Sequence, residues 1–233
     1  MKLDNPWKRL PRKAPFFLPE DRSAIDAFNG SASDRYRIRG DTLPVPYLGL
    51  PDAPILLLNL NPGYSAEDAS RQRTARFQRA ARKCLVHEAE GFSSGFYFLD
   101  SRCEGIDADL GPGTRWSWRI FGRLRAAFGN ELLARSFFCV EYFLYHSYEF
   151  RRLPIILDSQ RYGVELVRSA VARRALIIIM RSGALWRAVV PELGRYSRIF
   201  SLKNPRMPVL SDRNCPDGFP HIVRILDRAQ KDT

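Results

Sequence analysis

Ile55-Leu56-Leu57-Leu58-Asn59-Leu60-Asn61-Pro62-Gly63-Tyr64-Ser65 is the stretch on which the fold turns. Its apolar run, bounded by Pro54 and by Pro62-Gly63, has the character of a strand buried on both faces. Pro62 disfavours the α region for the residue before it and so holds Asn61 extended. Gly63 permits a positive φ and the close approach of a ligand to the backbone. Ser65, with Asp68 after it, forms a carboxylate variant of the capping box and predicts a helix start. In an α/β sheet, a strand followed by a polar turn and a helix start is where ligands bind. Asn-Pro-Gly is also an ordinary turn signal, so both readings of Asn61 stand at this point.

Working outward, Pro44 to Pro54 reads as a proline-punctuated lead into this strand. Further apolar runs follow at Phe137 to Phe143, Ala175 to Met180 and Ser197 to Leu202. Between them, apolar spacing predicts helices over Arg71 to His87, Thr114 to Phe128, Ser159 to Arg174 and about Gly183 to Val190. The first carries a basic face of Arg71, Arg73, Arg76, Arg79, Arg82 and Lys83, either solvated or lining a phosphate track. The second has Thr114 as N-cap and turns Trp116, Ile120, Phe121, Leu124 and Phe128 toward the core. A final amphipathic helix starts at Asn214 or Asp217. Asp21 to Phe28 reads as a short helix, and residues 1–20, with Pro6, Pro11, Pro15 and Pro19, as an extended arm. Strands alternating with helices predict one domain over residues 1–233: an α/β fold in three α/β/α layers around a central four-stranded parallel sheet.

Residues 88–112 are the least regular part, with Gly91 to Gly95, the aromatics Phe96-Tyr97-Phe98, and Gly111-Pro112-Gly113. They read either as a flap that offers a stacking surface or as an aromatic plug in a secondary core.

Composition bounds the partners. The formal net charge of +12 comes mostly from arginine, whose planar fork suits phosphates and base edges, so an anionic partner is expected, nucleic acid first. An evenly solvated basic surface would give the same total. The hydrophobic fraction of 45% is that of a globular chain. Neither a spanning apolar run nor a signal-peptide pattern is present, which predicts a cytoplasmic protein without membrane contact. Cys84, Cys103, Cys139 and Cys215 include no close pair of the kind zinc and iron–sulfur sites use, so no metal and no cofactor is expected. Phosphate loops, dinucleotide fingerprints, nucleophile elbows and zincin motifs are all missing.

The ends of the four runs carry the polar chemistry: Asn61-Pro62-Gly63, His146-Ser147, Arg181-Ser182, and Asn204-Pro205-Arg206. A parallel sheet brings all four to one edge and lines one cleft with them. His87 and His221 fall on helices, as surface or packing residues.

With those residues placed, the sequence resembles the uracil-DNA glycosylase superfamily. Leu60-Asn61-Pro62-Gly63 resembles the first motif, Gly-x-Asn-Pro-Gly, of the mismatch-specific and thymine-DNA glycosylase branch. Lys203-Asn204-Pro205-Arg206 resembles the second, Asn-Pro-Ser in that branch. The resemblance covers residues 45–229 and is that of a divergent bacterial subgroup. Asn59 stands where the first motif usually opens with glycine, and Arg206 stands where the second carries serine.

The resemblance implies a monomeric DNA repair enzyme that flips a uracil, or another deaminated or mismatched base, out of single- or double-stranded DNA and hydrolyses its N-glycosidic bond. Catalysis would fall to Asn61, positioning a water, and Asn204, donating to a base carbonyl. Pro62, Gly63, Tyr64, Ser65, His146 and Ser147 would bind the base, with Tyr64 packed against it. Arg181, Lys203 and Arg206 would hold the DNA. Other readings remain at this stage: a nucleic-acid-binding module on the same fold without hydrolysis, and a small-molecule hydrolase using Glu141 and His146 as acid and base.

Overall fold

The computed structural model describes residues 4–88, 95–99 and 112–232. The strands are β1 (Tyr47–Leu48), β2 (Ile55–Asn59), β3 (Phe137–Glu141), β4 (Leu176–Ile179) and β5 (Ile199–Ser201). The helices are α1 (Pro19–Ser31), α2 (Ala66–Gln72), α3 (Ala75–Leu85), α4 (Pro112–Ser136), α5 (Asp158–Ala172), α6 (Gly183–Val189) and α7 (Phe219–Lys231). Sheet order is β1-β3-β2-β4-β5, with β2 to β5 parallel and β1 antiparallel to β3. The sheet therefore has five strands rather than four. The extra one lies in the proline-punctuated lead, where Tyr47 and Leu48 pair with Val140 and Cys139.

β2 is central because its residues are all apolar up to Asn59. Ile55, Leu56, Leu57 and Leu58 are fully buried, each contributing about 2 kcal/mol by removal of apolar surface from water. Adjacent residues on a strand face opposite sides, so Phe137 packs on Phe121 of α4 while Phe138 faces Tyr47, itself against Tyr162 of α5. Helices thus cover both faces of the sheet. From β2 the chain passes to β3 on one side, then crosses to β4 on the other. The carboxyl end of β2 lies where those connections diverge, and there a crevice opens.

Three helices differ from the spacing-based reading. Arg71 to His87 is not one helix: it breaks after Gln72, and Thr74 caps α3 by accepting the Phe77 N–H at 3.3 Å. α4 starts at Pro112, so Thr114 is buried inside it rather than at its cap, and it is interrupted at Gly122 and Gly129. α7 starts at Phe219, later than Asn214 or Asp217. The capping box of Ser65 with Asp68 rests on a side chain outside the described part, although α2 does begin at Ala66.

The N-terminal segment is not a solvent arm. Trp7, Leu10, Phe16, Phe17 and Leu18 are buried in the common core. Arg82, from the supposed basic track, spends its guanidinium on the Pro11 and Arg12 carbonyls. Asp21 is the polar anchor. It is fully buried and accepts from the Tyr145 hydroxyl at 2.7 Å, the Ser159 hydroxyl and the Ser159 N–H. Burial pushes its carboxyl up, against the Ser159 and Tyr145 hydrogen bonds that favour the charged form. Asp21→Ala would leave those donors unsatisfied and is expected to cost about 2 kcal/mol, read as a lower urea midpoint with an unchanged slope.

Candidate active site at the carboxyl edge of the sheet

A cavity of about 620 Å³ opens at the carboxyl ends of β2, β3 and β4. Asn59, Leu60, Asn61, Pro62, Gly63, Tyr64 and Ser65 form one wall, Glu141 and His146 a second, and Arg181 belongs to the rim. Phe98, Trp116 and Pro208 add apolar surface.

Asn61 is half-buried, and its Nδ2 donates to its neighbour Pro62 O at 3.1 Å and to Ser147 Oγ at 3.3 Å. Those bonds hold the amide in one orientation and leave the side-chain carbonyl as its remaining acceptor. Gly63 pairs with Ser147 in an isolated parallel bridge, which draws the turn after β2 against the exit of β3. The positive φ that Gly63 permits is not adopted, and a Cβ there would meet nothing within 4 Å. Its value lies in open space at the cavity mouth.

His146 is buried, with Nδ1 2.5 Å from Gly63 O and Nε2 2.9 Å from Leu43 O. Both ring nitrogens are engaged by main-chain carbonyls, so His146 fastens the turn to the Leu43 segment. This geometry does not serve the acid–base pairing of Glu141 with His146. Ser147 is buried behind Asn61 and supports it.

At the rim, Tyr64 donates its hydroxyl to Asp41 at 2.8 Å and meets Tyr148 edge-on at 5.0 Å. Arg39 lies 5.1 Å from the centroid of each ring. Burial and the Asp41 carboxylate push the Tyr64 hydroxyl up to about 12, so it stays a neutral donor. Such a cluster offers flat aromatic faces flanked by positive charge.

Asn204 is placed differently. It is exposed and does not line the cavity, and its Oδ1 accepts from the Arg206 N–H at 3.1 Å. Lys203 and Arg206 are exposed beside it. The loop is tied to the rim by Arg181, whose Nε donates to Pro205 O at 3.1 Å. Thus Asn61, Pro62, Gly63, Tyr64, Ser65, His146 and Arg181 share one cavity, while Asn204, Lys203 and Arg206 form an adjoining loop.

Asn214 orders that loop, a role sequence reasoning missed by reading it as a helix start. Its Oδ1 accepts the Asn204 N–H at 2.7 Å, and its Nδ2 donates to Met207 O at 2.9 Å and Val209 O at 3.0 Å. Met207, at the tip, is the most exposed large apolar side chain among the described residues, at 65%.

The pairing at the floor was also missed: the sequence offers Glu141 only as an acid–base partner of His146, and Asn59 only as a departure from the first motif. Asn59 and Glu141 are Cα partners in the β2–β3 register, so their side chains share a face and line the cavity. Burial pushes the Glu141 carboxyl up to about 8, with Asn59 and Arg181 pulling weakly the other way. The Asn59 influence falls short of a formed bond, because Asn59 Nδ2 and Glu141 Oε2 both lack hydrogen-bond partners. A polar residue closing each of two adjacent buried runs was the available signal.

The aromatic segment divides. Phe96 and Tyr97 are buried, packing on Phe121 and Phe77, as a plug would, while Phe98 lines the cavity. Residues 89–94 and 100–111, including Cys103, lie outside the described part. Cys84, Cys139 and Cys215 are buried free thiols. His87 stacks on Tyr47 at a positive φ just past α3, and His221 stacks on Phe200. No group of metal-ligating side chains occurs among the described residues, nor any helix long and apolar enough to cross a membrane. The chain matches no protein-family model, no curated protein and no solved structure, so the reading of this site rests on its geometry.

Proposed function

We propose that the protein is a DNA glycosylase-like hydrolase of the uracil-DNA glycosylase type. It would admit an extruded, deaminated or mismatched base and cleave its N-glycosidic bond. The observation that carries this reading is Asn61, locked by Pro62 and Ser147 in the wall of the cavity. Glycosidic cleavage builds positive charge on the sugar and negative charge on the leaving base, so it calls for fixed dipoles rather than a strong nucleophile. With both amide hydrogens committed, the Asn61 carbonyl is the group left to orient a water against the sugar. An amide cannot deprotonate that water, so turnover is slow.

The rim suits the rest of a nucleic acid. Arg181, Lys203 and Arg206 provide positive charge for phosphates, and exposed Met207 is shaped to fill the gap an extruded base leaves. A second reading, a DNA-binding module without hydrolysis, draws on one observation: Asn204 lies off the cavity and turns its side-chain carbonyl to Arg206.

Oligonucleotides bearing uracil, hypoxanthine, or G·T and G·U mismatches, followed by alkali cleavage of abasic sites, separate the two. Strand cleavage is expected, with Asn61→Ala reducing the rate about 100-fold, as loss of one positioned polar group does elsewhere. An Asn61→Ala rate equal to wild type would overturn the assignment. Salt-sensitive binding with no cleavage on any substrate would leave the binding module.

A further inference from the structure

Two polar side chains at the cavity floor each keep an atom without a hydrogen-bond partner, although Asn59 and Arg181 both act on the Glu141 carboxyl. Asn59 is 7% exposed and Glu141 8%, and Asn59 Nδ2 and Glu141 Oε2 find no hydrogen-bond partner. Each unsatisfied buried polar atom is costly, and native chains keep few of them without a use. These two come from adjacent strands at one register and face one cavity. They are therefore complementary to something flat that carries its own hydrogen-bonding edge.

We propose that Asn59 and Glu141 are the reading face of the cavity and bind the lactam edge of a planar heterocycle, a ring carbonyl next to a ring N–H. Glu141 acts as a neutral acid: its O–H donates to the ring carbonyl, and its own C=O accepts the ring N–H. Asn59 Nδ2 adds a second donor to the same carbonyl. A carboxylate would fail here, since it has no hydrogen to give and repels the ring oxygen. The inference rests on the reading that the cavity admits an extruded base, and it assigns that base's identity to residues outside both Asn-Pro motifs. Uracil and hypoxanthine carry such an edge; cytosine and adenine present an amino group instead.

Several neighbours set the state of the acid. Arg181 at the rim favours its charged form, and the buried Cys139 thiol lies near it on β3. Arg119, His146, Tyr64 and Glu149 face the same cavity from its other walls. Burial outweighs the opposing pull of Asn59 and of Arg181 and keeps the carboxyl protonated at neutral pH.

The test is calorimetric titration of the full chain with bases methylated at the glycosidic nitrogen, so that only the edge displayed in DNA carries a ring N–H. 1-Methyluracil or 9-methylhypoxanthine should bind, and 1,3-dimethyluracil, which lacks the ring N–H, should bind at least about tenfold more weakly. Wild-type affinity should hold from about pH 6 to about pH 8 and then fall about tenfold per unit as Glu141 ionises. Glu141→Gln keeps one donor and one acceptor, so it should bind at neutral pH and lose that fall. Glu141→Leu should bind about tenfold more weakly at every pH.

The inference is overturned by binding of neither base, by equal binding of 1,3-dimethyluracil, or by a pH fall that survives Glu141→Gln. Tighter binding of 1-methylcytosine or 9-methyladenine would overturn it too, because the floor would then read an amino edge. The two proposals can fail separately. Lactam binding with these signatures and no cleavage of uracil-containing DNA would remove the glycosylase reading alone. Cleavage unchanged in both Glu141→Gln and Glu141→Leu would remove the inference alone.

Discussion

Glu141→Gln is expected to flatten the pH dependence of folding stability, with wild type losing about 3 kcal/mol more than the variant between about pH 5 and about pH 7.5. The cause is the carboxyl at the cavity floor, raised by burial from an ordinary 4.5 to about 8. The folded chain keeps this proton over a range where the unfolded chain has released it. The stability linked to it is fully present below the ordinary value and is lost as pH rises, levelling off above about 8. Glutamine has no proton to hold, so this slope disappears. His87 works in the opposite sense: burial lowers it from 6.5 to about 4, so its contribution is present above 6.5 and lost as pH falls. Asp21 is raised like Glu141 and adds to the same slope. Both are common to wild type and variant, so the difference between the two urea-derived curves isolates Glu141. Parallel curves would refute a protonated acid at the floor.

Gly49→Ala is the second large effect, expected to cost about 4 kcal/mol and to lower Tm by about 8–16 °C for a chain of this size. Gly49 directly follows β1 with φ +94°, a backbone region where side chains are strained. A Cβ there would lie 2.3 Å from Phe137 O, at the start of β3. That oxygen belongs to the sheet and cannot swing aside. Relief would require β1 to peel from Cys139 and Val140, disturbing the strand that carries Glu141. Gly30→Ala is the matched control, because a Cβ at Gly30 in α1 meets nothing within 4 Å. Thermal melts of the two variants should differ widely, and similar melts would mean that the β1 edge yields easily.

How much could be read beforehand depends on whether an element's cause is local. β2 and β4 are continuous apolar runs and are legible because burial on both faces leaves that mark. β1 has only two residues, and its pairing with β3 makes it a strand, so no local pattern announces it. The prolines of the first twenty residues suggested an exposed arm, but Trp7, Phe16 and Phe17 outweigh them, since each buries an aromatic ring. Asn61 was legible from Pro62 and Gly63, which act on their immediate neighbours. The floor was not, because Asn59 and Glu141 meet only once the strand order puts β2 beside β3. Asn59 looked like a departure from a motif; the sheet turns it into a cavity wall. Asn204 shows the reverse, a motif residue whose loop geometry carries it off the cavity.

The buried N-terminal segment gives the site a remote point of control. The Leu18 N–H donates to the Tyr145 hydroxyl, and Phe17 packs edge-on against the same ring. Tyr145 directly precedes His146 and Ser147, which grip Gly63 and Asn61. A continuous mechanical linkage therefore runs from Phe17 and Leu18 to the side chain proposed to hold the water. Proteolytic nicking between Leu10 and Leu18, far from the cavity in sequence, would slacken that linkage and loosen Asn61 while leaving the cavity's own residues untouched.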